Sequence, residues 1–157
     1  MKEILSKLVA GNNLTKEEAM RAQEMILSGK ATQAQIACFL TALRMKGETL
    51  DEITGLAIVL RDKANTISPK VDNYVDFVGT GGDCTYSFNI STTSAFVVAA
   101  AGVPVAKHGN RSISSKSGAG DVLEALGVNI SADPEVVEKC VEEVGIGFMF
   151  APHFNPA

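Results

Sequence analysis

The chain has 157 residues, of which 46% are hydrophobic and 20% are charged, and its formal net charge is −4. No apolar run approaches the ~18 residues that suggest a transmembrane helix, so these values predict a soluble globular protein and argue against a membrane span. The negative balance argues against a protein that coats nucleic acid, because affinity for a phosphate backbone requires clustered Lys and Arg. Any phosphate binding must therefore be local.

Cysteine usage and the first residues of the chain indicate a cytoplasmic location. Cys38, Cys84 and Cys140 are odd in number and far apart, which fits reduced thiols and offers no metal-ligand spacing. The segment 1–6 alternates in polarity and lacks the apolar core of a signal peptide. We therefore expect no secretion.

The first 65 residues have the pattern of a helical domain. Apolar residues recur at helical spacing, and no strand pattern appears among them. The stripe Ile36, Phe39, Leu40 and Leu43 is expected to form core, with a subunit interface as the alternative. The expected helix starts are Thr15, Thr32 and Thr49, and the expected ends are Gly11, Gly29, Gly47 and Ala64.

After a linker at 66–73, short apolar strands alternate with helices. The predicted strands are 74–78, 103–106 and 148–150, and the predicted helices are 91–101, 118–126 and 133–144. Because a helix separates successive strands, this order predicts parallel pairing through right-handed crossovers. The expected fold class is therefore α + α/β, a small N-terminal helical bundle domain over 1–65 followed by the first part of a mainly parallel α/β sheet domain over 74–157.

A glycine-rich turn lies at the centre of the predicted site. The segment 76–83 reads D-F-V-G-T-G-G-D, and hydroxyl residues at Ser91–Ser94 open an apolar helix. Glycines let backbone N–H groups approach a ligand, and a helix start adds unpaired donors and a positive dipole end. One of the four hydroxyls is expected to cap the helix and the others to bind a ligand. The pattern favours phosphate, and the alternative is an ordinary glycine-rich connection.

A second polar segment, K-H-G-N-R at 107–111, follows the next predicted strand, with serines at 112, 114, 115 and 117. The carboxyl ends of parallel strands lie at one edge of a sheet, so both segments are expected at the same edge. Each residue also has a structural alternative. His108 could bond a loop carbonyl, Arg111 could form a salt bridge, and Asp121 with Glu124 could stabilise a helix dipole.

Together these motifs resemble the anthranilate phosphoribosyltransferase family of tryptophan biosynthesis. The resemblance is carried by G-T-G-G-D, S-F-N-I-S-T, K-H-G-N-R-x-x-S-S and G-A-G-D-V-L-E-A-L-G, and it covers essentially the whole chain. It implies transfer of phosphoribose from 5-phosphoribosyl 1-diphosphate to anthranilate with Mg²⁺, by a homodimer formed through the N-terminal helices. Electrostatic preorganisation supplies most of such catalysis, so no catalytic side chain is assigned.

The resemblance also implies roles for individual residues. Ser91 resembles the hydroxyl ligand of the magnesium ion, and Gly79 and Asn110 resemble anthranilate contacts. The full implied substrate-binding set is Gly79, Gly82, Asp83, Ser87, Asn89, Ile90, Ser91, Thr92, Lys107, His108, Gly109, Asn110, Arg111, Ser112, Ile113, Ser114, Ser115 and Ala119.

The chain departs from the family pattern at three positions. Ser87 stands where the family commonly has Thr, which keeps a hydroxyl. Ala119 and Gly120 replace Ser and Ala of the motif G-S-A-D, so one phosphate-binding hydroxyl is missing. A glycine early in a helix costs roughly 0.5–1 kcal/mol relative to alanine. We therefore expect an effect on substrate affinity and none on the fold.

Two further expectations concern activity. The family's chain is longer, and its anthranilate-binding arginine and magnesium-binding Asp-Glu pair have no counterpart here, so the 157 residues alone are expected to be inactive. The alternatives are a pyrimidine nucleoside phosphorylase, which the 107–111 segment and S-F-N-I-S-T disfavour, and a non-catalytic binding or dimerisation relative.

Overall fold

A computed structural model describes residues 1–79, 88–112 and 117–155. They form two compact units, Met1–Ala64 and Asn65–Asn155. Among the described residues, no helix has both the length and the apolarity needed to cross a bilayer.

The first unit consists of four helices, and each of the last three begins with a capping box. They are α1 at Lys2–Val9, α2 at Lys16–Leu27, α3 at Gln33–Lys46 and α4 at Leu50–Lys63. The capping threonines are the predicted ones, Thr15, Thr32 and Thr49, and each accepts a hydrogen bond from the residue three positions on. α3 ends at Gly47, whose φ of 85° is costly for residues with a side chain. The helical prediction is confirmed.

The core of this unit lies among α1, α2 and α3. Phe39 and Leu43 of the predicted stripe are buried there, whereas Leu40 is exposed. α4 packs closely on α2, since a Cβ on Gly55 would lie 2.5 Å from the carbonyl oxygen of Lys16. The buried core residues are Ile4, Leu8, Leu14, Ala19, Ala22, Phe39 and Leu43.

A buried ion pair joins the end of α3 to the start of α4. The Glu52 carboxylate is fully buried, and Lys46 Nζ lies 2.9 Å from its Oε2. The backbone N–H of Thr49 donates to the same oxygen at 2.8 Å, and that of Leu14 donates to Oε1 at 2.8 Å. One carboxylate therefore holds α3, α4 and the segment after α1.

The second unit is built on two parallel strands with helices between them. Its elements are α5 at Ile90–Ala100, β1 at Val105–Gly109, α6 at Ala119–Ala125, α7 at Pro134–Glu143, β2 at Ile146–Phe150 and α8 at Ala151–Phe154. β1 and β2 pair in register from Val105 with Ile146 to Gly109 with Phe150. The α + α/β fold class is confirmed.

The prediction of a strand at 74–78 is wrong, because only Val75 of this segment forms a β-bridge to β1. Val75 donates to Pro104 O and accepts from Ala106 N. The next ladder position would join Phe77 O to the N–H of His108. Instead His108 N donates to the Asp76 side chain, and Phe77 O accepts from Lys107 Nζ. Side chains thus take over the ladder bonds beyond Val75.

The other two strands differ from the prediction in their bounds. β1 begins at Val105 and continues to Gly109, so Lys107 and His108 lie within the strand and not after it. β2 begins two residues earlier than the predicted 148–150.

The segment expected as a linker lies against α7 of this unit, and Asn65, just before it, contacts α8. The backbone N–H groups of Ser68 and Lys70 donate to the carboxylates of Glu138 and Glu142, at 2.8 and 2.6 Å. The N–H of Asn65 donates to Phe154 O at 2.8 Å. The domain boundaries remain a prediction.

Candidate anion-binding site at the sheet edge

Asn89 forms the N-cap of α5, which corrects the expectation that a hydroxyl of Ser91–Ser94 would do so. Its Oδ1 accepts from the backbone N–H of Thr92 at 3.0 Å. Its Nδ2 donates to Ser117 O at 3.3 Å, so the same side chain joins α5 to the segment before α6. Asparagine is favoured over a hydroxyl residue at this cap, because its amide oxygen can accept from the helix while its amide nitrogen donates to another segment.

Of the hydroxyls at the start of α5, that of Thr93 donates to Asn89 O at 3.0 Å, whereas that of Thr92 remains available for binding. Thr92 is almost fully buried, and its Oγ1 has no hydrogen-bond partner among the described residues. Gly79 lies beside the same helix start, since a Cβ built on it would be 3.9 Å from Ser91 Oγ. A buried polar atom without a partner costs free energy, so Thr92 is suited to meeting a ligand oxygen.

Lys107 is a buried cation on β1, with only 3% of its surface exposed. Its Nζ donates to the backbone carbonyl of Phe77. Burial lowers the pKa of Lys107 from its ordinary value, and the charge of Asp76 opposes that shift. A lysine so placed is stabilised by an anion that replaces its lost hydration.

An apolar cavity of about 210 Å³ adjoins Thr92 and Lys107. Its apolar lining consists of Ala95, Phe96, Leu123, Val128, Val144, Ile146, Gly147 and Phe148.

His108 is held at both its backbone and its ring. Its N–H donates to Asp76 Oδ1 at 3.1 Å, and its Nε2 lies 3.1 Å from Asn155 Nδ2. The partner of the ring is thus a side-chain amide, not the loop carbonyl of the structural alternative. Sequence reasoning missed Asp76 and Asn155 as neighbours of the site, although the position of Asp76 just before the glycine-rich turn is a usable signal.

Arg111 forms the salt bridge that was considered as its structural alternative. Its guanidinium donates to both carboxylate oxygens of Glu124 at 2.7 and 2.8 Å, and to Asp121 Oδ1 at 3.3 Å. It also lies 5.8 Å from the ring centre of Phe150. Hydrogen bonding to Glu124 raises the pKa of Arg111, so its charge is permanent. Its substrate-binding role stays a prediction.

Asp121 joins the two ends of the segment between β1 and α6. Its Oδ2 accepts from Ser112 N at 2.9 Å and from Gly118 N at 3.0 Å. These two backbone hydrogen bonds lower the pKa of Asp121 below its ordinary value, so it is ionised at neutral pH.

Asn110, Gly109 and Ala119 come together where β1 meets α6. Asn110 O accepts from Gly120 N at 3.1 Å, and Asn110 Oδ1 accepts from Arg111 N at 2.7 Å. A Cβ on Gly109 would lie 3.0 Å from Ala119 Cβ, so the glycine permits this close packing. The other predicted positions, Gly82, Asp83, Ser87, Ile113, Ser114 and Ser115, lie outside the described residues.

The described residues do not by themselves fit a protein-bound Mg²⁺ site. They contain no group of three or more His, Cys, Asp or Glu side chains that could hold a metal ion. Mg²⁺ usually binds through one or two carboxylates plus substrate phosphates and water. Ser91 offers a single hydroxyl oxygen, so the ion would have to take its remaining ligands from outside this set.

The fold and the site define a class of protein. The profile of the glycosyl transferase family, helical bundle domain, matches residues 2–64, and that of the glycosyl transferase family, a/b domain, matches residues 71–157. The chain therefore belongs to the glycosyl transferase family.

Within that family, the similar proteins are anthranilate phosphoribosyltransferases, which confirms the resemblance seen in the sequence. That of Acetivibrio thermocellus is 62% identical over 155 residues, which cover 99% of this chain and 45% of the relative. That of Anaeromyxobacter dehalogenans strain 2CP-1 is 55% identical over 157 residues, 100% of this chain and 47% of the relative. The chain thus spans about half the length of the curated relatives it matches.

Solved structures give the same result. The anthranilate phosphoribosyltransferase of Thermus thermophilus matches with a TM-score of 0.85 at 42% identity, over 98% of this chain and 46% of that one. The enzyme of Saccharomyces cerevisiae, in complex with PRPP and Mg, matches with a TM-score of 0.84 at 27% identity, over 98% and 47%.

Proposed function

We propose that this chain contributes the diphosphate-binding part of an anthranilate phosphoribosyltransferase, which transfers phosphoribose from 5-phosphoribosyl 1-diphosphate (PRPP) to anthranilate in tryptophan biosynthesis. The observation that carries the proposal is the buried Thr92 hydroxyl at the start of α5, which has no hydrogen-bond partner among the described residues, together with the buried Lys107 on β1. A helix N-terminus and a desolvated cation are complementary to a diphosphate, whose charge grows as the ribose bond breaks.

The reaction needs charge stabilisation and orientation in place of a nucleophilic side chain. Thr92 and Ser91 would donate to phosphate oxygens, and Lys107 would act as a point charge. Gly79, beside Ser91, leaves room for a ligand at the helix start. Asn110, whose backbone is fixed by Gly120, would contact anthranilate.

Mg²⁺ is proposed as the companion of the diphosphate, since the Saccharomyces cerevisiae relative forms a complex with PRPP and Mg. The ion would neutralise phosphate charge, and Ser91 would supply one oxygen. A cytoplasmic location follows from the proposed biosynthetic role.

Titration calorimetry with PRPP, with and without Mg²⁺, tests the proposed function. We expect saturable PRPP binding that Mg²⁺ strengthens. Binding of inorganic phosphate and a pyrimidine nucleoside in place of PRPP would instead indicate a nucleoside phosphorylase. Absence of binding for all of these ligands would indicate a non-catalytic relative.

Lys107→Met is expected to weaken PRPP binding by about 1–3 kcal/mol, because it removes a charge-assisted contact and keeps the apolar stem. Thermal stability should change little, because relief of the buried charge offsets loss of the Lys107–Phe77 hydrogen bond. Titration calorimetry and a melting curve measure the two effects. Lys139→Met, at an exposed lysine of α7, is the matched control. Unchanged affinity in Lys107→Met would make Lys107 a structural residue.

We also propose that the first unit forms a homodimer through α1 and α3. Val9 and Met45 are 70% and 84% exposed, and Leu40 is 57% exposed on the same helix as Met45. Val9 and Met45 line one apolar groove of about 530 Å³ between these helices. Large exposed apolar groups of this kind are typical of association surfaces.

Met45→Glu is expected to shift the chain from dimer to monomer, because it places a charge in the proposed contact. Sedimentation at micromolar concentration measures the change, and Val136→Glu on the exposed face of α7 is the control. A wild-type monomer under the same conditions would contradict the proposal.

A further inference from the structure

We propose that Asp121 is a positioning residue for diphosphate binding, which it supports by fixing the backbone at Ser112 and Gly118. The inference rests on the proposed function and deepens it. Asp121 makes no proposed contact with substrate itself. Its effect passes through the backbone between β1 and α6.

The geometry around one carboxylate oxygen carries the inference. Asp121 Oδ2 accepts from Ser112 N at 2.9 Å and from Gly118 N at 3.0 Å. These donors are six positions apart in the chain, so a single oxygen holds both ends of the intervening segment. Hydrogen bonds from N–H groups to an ionised carboxylate are among the stronger ones in proteins.

Gly118 is adapted to this arrangement by its lack of a side chain. A Cβ at this position would lie 2.2 Å from Ser112 N and 2.5 Å from the carbonyl carbon of Arg111. Its backbone angles, φ of −78° and ψ of 166°, are accessible to any residue. Glycine is therefore needed because a side chain would have no space, and not because of the backbone conformation. The two ends of the segment are therefore in direct contact.

Ser117, which precedes Gly118 in the chain, is connected to the start of α5. Ser117 O accepts from Asn89 Nδ2, and Asn89 Oδ1 accepts from Thr92 N. A continuous set of hydrogen bonds and short backbone steps thus runs from Asp121 to the helix start that carries Thr92. Loss of the Asp121 contacts would let the segment after β1 shift relative to that helix start.

Arg111 and Glu124 support Asp121 from its other side. Arg111 contacts both carboxylates, and its bidentate pair with Glu124 ties the end of β1 to α6. Its positive charge also offsets one of the two negative charges close to a proposed anion site. Asp121 can therefore remain ionised there without repelling a diphosphate strongly.

The competing explanation is that Asp121 only stabilises the dipole of α6, as an acidic residue in the first turn. That explanation predicts a small change in stability and no change in affinity. Glu135 isolates this effect, because it occupies the first turn of α7 and its side chain has no partner among the described residues.

The experiment compares wild type, Asp121→Ala, Asp121→Asn and Glu135→Ala at a temperature where all are folded. PRPP affinity is measured by calorimetry, and the exchange rates of the Ser112 and Gly118 amides are measured by NMR. We expect Asp121→Ala to weaken binding ~10- to 100-fold and to speed exchange at both amides. Asp121→Asn, which keeps an acceptor oxygen, should restore most of the affinity, and Glu135→Ala should bind as wild type does.

Two results would overturn the inference, and they can be told apart by whether wild type binds PRPP. If wild type binds PRPP and Asp121→Ala binds equally well, the positioning role fails and the proposed function stands. If wild type itself does not bind, the proposed function fails and the inference with it. Should Asp121→Ala not fold, Asp121→Asn decides, because faster exchange at both amides with PRPP affinity equal to wild type would contradict the role.

Discussion

Replacing Glu52 by alanine is expected to lower the free energy of unfolding of the helical unit by about 3–5 kcal/mol. The substitution leaves Lys46, only 8% exposed at its side chain, without its counter-charge. It also leaves the backbone N–H groups of Leu14 and Thr49 without an acceptor. Urea unfolding followed by circular dichroism measures the loss.

Three further variants make this prediction specific. Asp51→Ala, at an exposed position in the same helix turn, should cost far less. Lys46→Met combined with Glu52→Ala should cost less than the sum of the two single changes, because the second change removes the stranded charge. If Glu52→Ala costs no more than Asp51→Ala, the ion pair does not hold the three segments together.

The effect of Glu52 should also depend on pH. Burial by itself raises the pKa of Glu52, but hydrogen bonds from Leu14 and Thr49 and the contact with Lys46 lower it below its ordinary value of 4.5. A folded-state pKa below the unfolded one contributes stability that is present above the unfolded pKa and is lost as the pH falls through the folded pKa. The difference between wild type and Glu52→Ala should therefore be full near pH 7 and shrink below about pH 4.5.

Gly118→Ala is expected to destabilise the second unit by about 1–3 kcal/mol and to weaken PRPP binding ~10- to 100-fold. The new Cβ would lie 2.2 Å from Ser112 N, and backbone on both sides must move to admit it. That movement would also open the Asp121 contacts. A melting curve and calorimetric titration check both effects.

Gly120→Ala is the control, and its expected change in the free energy of unfolding has the opposite sign. A Cβ there would lie 3.5 Å from Arg111 Cγ, which is an ordinary contact. Because Gly120 is inside α6, alanine should raise the free energy of unfolding by roughly 0.5–1 kcal/mol. Destabilisation of similar size in both variants would mean that the close packing around Gly118 does not cause the loss of stability.

The helices and their caps could be predicted from sequence because their signals are local. Thr15 and Thr49 lie three residues before a glutamate, and that spacing alone defines a capping box. Gly47 ends α3 for an equally local reason. The burial of Glu52 could not be predicted this way, since it depends on Leu14, which is 38 positions away.

The binding roles of the site residues stay a prediction, and the structure corrects part of their expected geometry. The pattern located Thr92 and Lys107, but placed Lys107 after the strand, because a lysine is seldom buried in a sheet. Asn89 took the cap that was assigned to a hydroxyl, by accepting from Thr92 N. Its amide also donates to Ser117 O, a contact that no local spacing reveals. Resemblance to a family supplied the proposed ligand, PRPP, whereas the residue patterns alone indicated only phosphate.

NMR mapping of PRPP binding is the sharpest test of the proposed diphosphate site. The ¹⁵N-labelled chain is titrated with PRPP and Mg²⁺, and the backbone amide shifts are followed residue by residue. We expect the shifts to concentrate at Ser91, Thr92 and the segment 107–112, and α2 and α7 to be unaffected. Absence of shifts at saturating ligand, or shifts centred on another part of the chain, would contradict a diphosphate site at the start of α5 and the end of β1.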